Sequence, residues 1–164
     1  MKTGKYILLS LILLISCEEE TSPLFPILSL TPESLSIENE AVGELTLQIE
    51  NLGVSIFGIS LRIAYDTSSV SFTGSTELVE GFFFGSETVT FVKDTSSAIH
   101  IATTLTSGEA VSGSGTLYKL NFEGKSQGSH PVEILPDFLF FYDASGNKIT
   151  IPNLTIESAT VNVE

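Results

Sequence analysis

Polar and apolar residues alternate one by one in segment after segment of this chain, the pattern of an extended strand with one face in water and the other in a core. Leu45, Leu47 and Ile49 alternate with Thr46, Gln48 and Glu50, and Ile59, Leu61, Ile63 and Tyr65 alternate with Ser60, Arg62 and Ala64. Ile99, Ile101 and Thr103 alternate with His100, Ala102 and Thr104, and Tyr118, Leu120 and Phe122 with Lys119 and Asn121. Near the end, Leu154 and Ile156 keep one phase while Val161 and Val163 keep the other. This predicts a β-bulge near Ser158-Ala159, because one extra residue moves every later side chain to the opposite face. Adding Ile27 to Leu30, Leu35 to Ile37, Val70 to Thr73, Val89 to Val92, Val132 to Leu135, Phe138 to Tyr142 and Lys148 to Ile151 gives around ten short strands, with turn signals at sandwich-like spacing. Past residue 17 no stretch has helical spacing. The expected fold is all-β, two antiparallel sheets packed face to face.

Composition agrees: the chain is rich in Val, Ile, Thr, Ser and Phe, has 13 glycines and lacks Trp. The first residues are of another kind. Lys2 and Lys5 precede the apolar run Tyr6 to Ile15, which is too short to span a bilayer and reads as an export signal. It closes on Leu14-Ile15-Ser16-Cys17, which resembles the lipobox of bacterial lipoproteins, where cleavage precedes a Cys that carries the lipid. The expected organisation is a signal peptide over 1–16, a lipidated Cys17 with a flexible linker over 17–26, and one folded domain over 27–164. More than one acyl chain is what durable anchoring needs. Cys17 is the only cysteine, so the domain is expected to hold no disulfide. Glu18-Glu19-Glu20 resembles the acidic run that accompanies export to the surface in some Gram-negative lipoproteins, and it is equally well a solvated spacer. The expected location is exported and membrane-anchored, at the outer membrane or cell surface if the cell is Gram-negative.

Losing Lys2 and Lys5 takes the formal charge from −13 to −15 and leaves Arg62, Lys93, Lys119, Lys125 and Lys148 as the positive residues. Such a chain repels nucleic acid and anionic headgroups, so lipid and not charge must hold it to a membrane.

From about Leu28 to Val163 the order of these segments resembles a cohesin domain, the module that receives dockerin modules in cellulosome-type assemblies. The residues that carry the likeness are Gly58-Ile59-Ser60-Leu61-Arg62-Ile63 leading into Tyr65-Asp66, and a Gly near the position of Gly81. Gly113-Ser114-Gly115-Thr116-Leu117-Tyr118-Lys119-Leu120-Asn121-Phe122 is similar to the family's Gly-rich entry into a strand, and Asp143 to Asn147 falls where many members have an acidic turn. Thr67 replaces the usual Pro and Val70 the usual Leu, while Gly58 and Ser60 stand where cellulosomal members often present Asn and Asp. The resemblance implies a jelly-roll sandwich of about nine strands, related to carbohydrate-binding modules. It also implies that one sheet face, including the strand from Gly58 to Tyr65, binds a calcium-loaded dockerin. On the alternation above, Ser60, Arg62 and Ala64 point outward on that strand, and His100, Ala102 and Thr104 on a second. Gly58, Ser60, Arg62, His100 and Thr104 are therefore the candidate partner-binding residues.

Other chemistry finds little support in the sequence. Gly124-Lys125-Ser126-Gln127-Gly128 matches G-x-S-x-G, but a nucleophile elbow needs a strand before it and a helix after it, and here strands flank it on both sides, so a hairpin turn is expected. His100 and His130 have no second ligand at zinc spacing, and Asp143, Ser145 and Asn147 form too short an array for a calcium loop, so neither metal is assigned. An Asx turn is the expected role of Asp143. No cofactor is expected, and no pair of carboxylates is singled out for glycoside hydrolysis, so the chain reads as a non-enzyme.

Phe82-Phe83-Phe84 is the remaining oddity, with Phe82 and Phe84 expected in the core and Phe83 covered by a loop, or else exposed to stack on a sugar ring. Three readings follow. The first is a monomeric lipoprotein that recruits a dockerin-type partner in polysaccharide breakdown or surface assembly. The second is a carbohydrate-binding module using Phe83 on a polysaccharide, and the third an envelope protein that pairs through strand edges.

Overall fold

The computed structural model describes residues 24–76 and 82–164. The signal-like segment, Cys17 and the acidic run lie outside the described residues, as does Gly81. Thirteen strands are described: β1 (Ile27–Thr31), β2 (Ser34–Ile37), β3 (Val42–Ile56), β4 (Gly58–Tyr65), β5 (Val70–Thr76), β6 (Thr88–Asp94), β7 (Ala98–Leu105), β8 (Val111–Gly124), β9 (Gly128–Ile134), β10 (Phe140–Tyr142), β11 (Lys148–Ile149), β12 (Thr155–Glu157) and β13 (Ala159–Val163). A single 3-10 turn, Pro136–Phe138, precedes β10, so Phe138 stands on a turn and not in the strand expected there. Pro136 opens that turn, which ends a ladder by removing a donor.

Two sheets pack face to face. One runs β12-β1-β3-β8-β5; in the other, β6-β7-β4 continues into β10 and β11 at one end of β4 and into β9, β13 and β2 at the other. The strands exceed the nine expected because the chain ends and the β10–β11 hairpin add short ones. The alternation is borne out. Leu45, Leu47 and Ile49 of β3 and Leu120 and Phe122 of β8 are buried, as are Ile59, Leu61 and Ile63 of β4 and Ile99 and Ile101 of β7 across the core. Burying each such side chain contributes about 1.5–3 kcal/mol before chain entropy is counted. Phe122 fixes one end of the core, edge-on to Tyr65 at 5.6 Å and tilted against Phe72 at 5.8 Å between ring centroids.

Three expectations are corrected. The sheets are mixed, because β1 runs parallel to β12 and β2 parallel to β13. The phase change near Ser158 is a change of sheet and not a bulge: β12 pairs in one sheet and β13 in the other, so the side facing the core reverses across Ser158. The N-terminal segment makes the same crossing between β1 and β2. Gly124 to Gly128 likewise joins β8 in one sheet to β9 in the other, so it turns a corner of the sandwich and is not a hairpin. Its second flank is a strand, and a nucleophile elbow has no helix to sit on.

Candidate partner-binding face

The register between β4 and β7 places Gly58 opposite Thr104, Ser60 opposite Ala102 and Arg62 opposite His100. Residues directly opposite on antiparallel strands share a face, so the five candidates named from the sequence stand together on the outer side of two adjacent strands. Two neighbouring strands, expected as strands but not as part of this face, enlarge it. On one side, β6 sets Val89 beside Thr104, Phe91 beside Ala102 and Lys93 beside His100. On the other, β10 sets Tyr142 beside Gly58 and Phe140 beside Ser60.

The result is a trough along the strands. Its floor is small, made by Gly58, Ser60, Ala102 and Thr104, and its walls are aromatic. Phe91 is 57% exposed and Val89 58% on one wall, and Phe138 is 39% exposed near the other. A depression of about 500 Å³ lies between Val89, Phe91, Tyr142 and Asp143, and a second of about 260 Å³ lies between Arg62, Phe91, His100 and Phe138. Ser60 and Ala102 line both, so the two are continuous. The cations brace the walls: the Arg62 guanidinium carbon lies 3.9 Å from the Phe138 ring centroid and Lys148 Nζ 3.4 Å from that of Phe140.

Gly58 has a local reason. A Cβ there would lie 2.8 Å from the Thr103 carbonyl oxygen, so this position has no room for the Asn that cellulosomal members often present. The trough begins where β4 and β7 approach too closely for a side chain.

The expression of β6 on the outer face reverses the usual pattern. Its phenyl ring and valine face out, while Thr90 shares hydrogen bonds of 3.2 Å with the Thr103 hydroxyl and with the buried Tyr118 hydroxyl of the opposite sheet. A threonine facing inward is the signal that identifies Phe91 as outward, and it reads from the sequence only once Tyr118 is known to reach across the core.

Elsewhere, the expected Asx turn is present. Asp143 Oδ1 accepts hydrogen bonds from the backbone N–H of Ser145 at 2.9 Å and of Asn147 at 2.8 Å, and Oδ2 accepts one from Asn147 Nδ2 at 3.1 Å. These bonds, led by those from Asn147, hold its carboxyl below the usual range. Asp66 caps the turn into β5 in the same way, accepting from the Ser68 and Ser69 hydroxyls at 2.6 and 2.7 Å, which lowers its pKa to about 2. Burial, with the hydrogen bond to Asp94 and the charge of that carboxylate, raises the Tyr65 hydroxyl well above its ordinary value.

Phe82 and Phe84 are buried and Phe83 is partly buried. Phe83 stands edge-on to Phe84 with ring centroids 5.2 Å apart and packs over Gly115, where a Cβ would lie 3.3 Å from it. The three residues follow no strand, only an isolated bridge from Phe82 to Thr116 and a turn. The His130 ring hydrogen-bonds the Ser126 carbonyl at 2.9 Å. Among the described residues, no three His, Cys, Asp or Glu side chains gather closely enough to hold a metal ion.

Among the described residues the architecture is a two-sheet β-sandwich without an α-helix. No protein-family model matches the chain, and no curated protein matches it significantly. Among solved structures it is similar to the cohesin CaCohA2 from Clostridium acetobutylicum, with a TM-score of 0.67 and 16% identity over 85% of this chain and 90% of that one. It is also similar to a type II cohesin domain from the cellulosome of Acetivibrio cellulolyticus, with a TM-score of 0.69 and 14% identity over 85% of this chain and 96% of that one. A non-cellulosomal cohesin from the archaeon Archaeoglobus fulgidus matches with a TM-score of 0.66 and 15% identity over 86% and 92% of the two chains. A further similar structure is the third cohesin ScaC of Acetivibrio cellulolyticus in complex with the ScaB dockerin, at a TM-score of 0.68 and 13% identity over 85% and 99%. At such identities the likeness establishes the fold.

Proposed function

We propose that this chain is a non-catalytic receptor module that recruits a dockerin-type partner through the trough on β6, β7, β4 and β10, and is fixed to a membrane by lipid on Cys17. The observation that carries the reading is the trough itself: small residues on the floor, exposed aromatic rings on the walls and basic groups along its edges. An exposed apolar surface framed by polar groups is the usual mark of an interaction site. Similar structures include a cohesin captured with a dockerin, which gives the partner class its precedent.

Ala102 lies at the centre of the floor, so Ala102→Trp is expected to fill the trough and weaken a captured exported protein by at least about tenfold, as interface centres do. Capture with and without calcium chelation, followed by titration of the purified partner, measures this. Unchanged affinity in a variant that melts normally would move the site to another face.

A second reading is favoured by the exposed Phe91 and Phe138 rings: a glycan chain lying in the trough, with sugar rings stacked on the walls. Retention on insoluble polysaccharide, lost in Phe91→Ala, distinguishes it. Phe83, partly buried and packed on Phe84, is a poorer stacking platform than Phe91.

A further inference from the structure

A strand that ends a sheet leaves a row of N–H and C=O groups without a ladder partner, and most such edges in this sandwich are too short or too irregular to take another strand. Among the described residues β2 has four residues, β12 three and β11 two. β5 is longer, but its register shifts between Phe72 and Gly74, where Gly74 takes a φ of 143°. β6 differs from all of these. Its seven residues run in unbroken register with β7 on one side, and no strand of the described residues lies on the other.

The hydrogen bonds at the ends of the β6–β7 ladder tell which backbone groups of β6 point away from it. The Thr106 N–H donates to the Glu87 carbonyl at 2.9 Å, and the Thr95 N–H to the Ala98 carbonyl at 3.0 Å. Hydrogen-bonded pairs alternate along an antiparallel ladder, so Val89, Phe91 and Lys93 direct their backbone groups at β7. Thr88, Thr90, Val92 and Asp94 therefore turn theirs to the free edge.

The side chains of this strand suit a copy of itself. Val89, Phe91 and Lys93 are exposed on the outer face, and Glu87 continues their phase. Antiparallel pairing about a two-fold axis at Phe91 uses all seven residues: Thr88 with Asp94 and Thr90 with Val92 at the hydrogen-bonded positions, Val89 with Lys93 and Phe91 with Phe91 at the others. Those hydrogen-bonded positions are the four whose backbone groups face the edge. The two Phe91 side chains meet at a close, non-hydrogen-bonded pairing, where aromatic pairs stabilise a sheet. A lysine on an edge ordinarily discourages pairing. In this register Lys93 lies diagonal to Glu87 of the second copy, within reach of a long side chain, so each copy sets a cation against a carboxylate.

We propose that β6 is a self-association edge, through which two copies of this chain pair antiparallel over Thr88–Asp94 and join their sheets into one. The same patch serves both copies, as a closed two-fold dimer requires. This dimer replaces the monomer expected from the sequence. It is built on the sheet edge and not on the trough floor, so it does not rest on the docking proposed above.

The test uses the full chain in its membrane, with single cysteines placed at 89, 91 or 93 and an oxidant added; the parent, with Cys17 alone, gives the background. Across the axis the two copies of residue 91 stand about 4.5 Å apart at Cα, within disulfide range, whereas residue 89 of each copy faces residue 93 of the other. Phe91→Cys is expected to give a band at twice the chain mass, with Val89→Cys and Lys93→Cys each near background and their double variant cross-linked again. Val92→Pro added to Phe91→Cys removes a donor that faces only the free edge, and is expected to lower the cross-linked fraction by at least about tenfold. Thr88→Pro makes the same change at the strand's end, and thermal melting checks that both proline variants fold. Lys93→Glu in the Phe91→Cys chain is expected to lower cross-linking by about fivefold, and Glu87→Lys added to it to restore the band. Cross-linking that is equal at the three positions, no greater than the parent's, or unchanged by both prolines in variants that melt normally overturns the proposal. A mixed disulfide with a different protein, in place of the band at twice the chain mass, gives the edge another occupant and overturns the second copy.

Discussion

Thr90 shows how a single hydroxyl decides which way a strand faces. It bonds the Thr103 hydroxyl beside it and the Tyr118 hydroxyl across the core, and in doing so turns Phe91 to solvent. Thr90→Val keeps the shape and removes the shared partner, so a loss of about 1–3 kcal/mol in denaturant unfolding is expected. Asp66 offers a residue-scale test with a pH signature. Its carboxyl, ordinarily near 3.8, is lowered to about 2 by the Ser68 and Ser69 hydrogen bonds. A lowered folded pKa means stabilisation that is full above the unfolded value and is lost as pH falls through the folded one. Asp66→Asn is therefore expected to melt below the parent at neutral pH, with the gap closing between about pH 4 and pH 2 as the parent carboxyl is protonated. A gap that persists at pH 2 would show that the carboxylate charge is not its source.

At the scale of elements, the strands with clean alternation were legible, and their outward residues with them: Ser60, Arg62, His100 and Thr104 lie where the period of two puts them. What failed to read were places where alternation is interrupted for a reason in three dimensions. The strand whose alternation reads from Leu45 to Glu50 continues to Ile56, because Asn51 takes a left-handed φ of 53° and its N–H finds the Ser114 hydroxyl at 2.9 Å, carrying β3 through a shift in register. The reversal at Ser158 looks like an inserted residue, but comes from a change of sheet, which no local pattern distinguishes. The walls of the trough went unseen because Phe91 and Phe140 belong to strands whose neighbours are set by topology. Gly124 makes the packing between elements testable. A Cβ there would lie 2.8 Å from Val163 Cγ1 and 3.2 Å from the Glu38 carbonyl oxygen, so β8 and β13 meet through the missing side chain. Gly124→Ala is expected to cost about 1–3 kcal/mol. Adding Val163→Ala should recover part of that loss in a double-mutant cycle, whereas strict additivity would mean the two positions do not touch.

For the molecule as a whole, the charge is strongly acidic while the trough is edged with cations, so a partner with carboxylates is drawn to one face and repelled by the rest. Attachment completes the proposed role, since a receptor without an enzyme is useful where it is fixed. Cys17→Ser is expected to shift the chain from the membrane pellet to the soluble or unprocessed fraction, and intact-mass analysis of the parent is expected to show a chain starting at Cys17 with added acyl mass. A parent that is water-soluble and lacks acyl mass would remove the anchor. The parallel pairs β1–β12 and β2–β13 carry a consequence in time. Strands formed early in the domain wait for partners made more than a hundred residues later, so β1 lacks β12 and β2 lacks β13, its link to the rest of its sheet, until residues 155–163 have been made. The sandwich is thus closed by a clasp between its earliest and latest segments, and it cannot lock while the ribosome still holds its final strand.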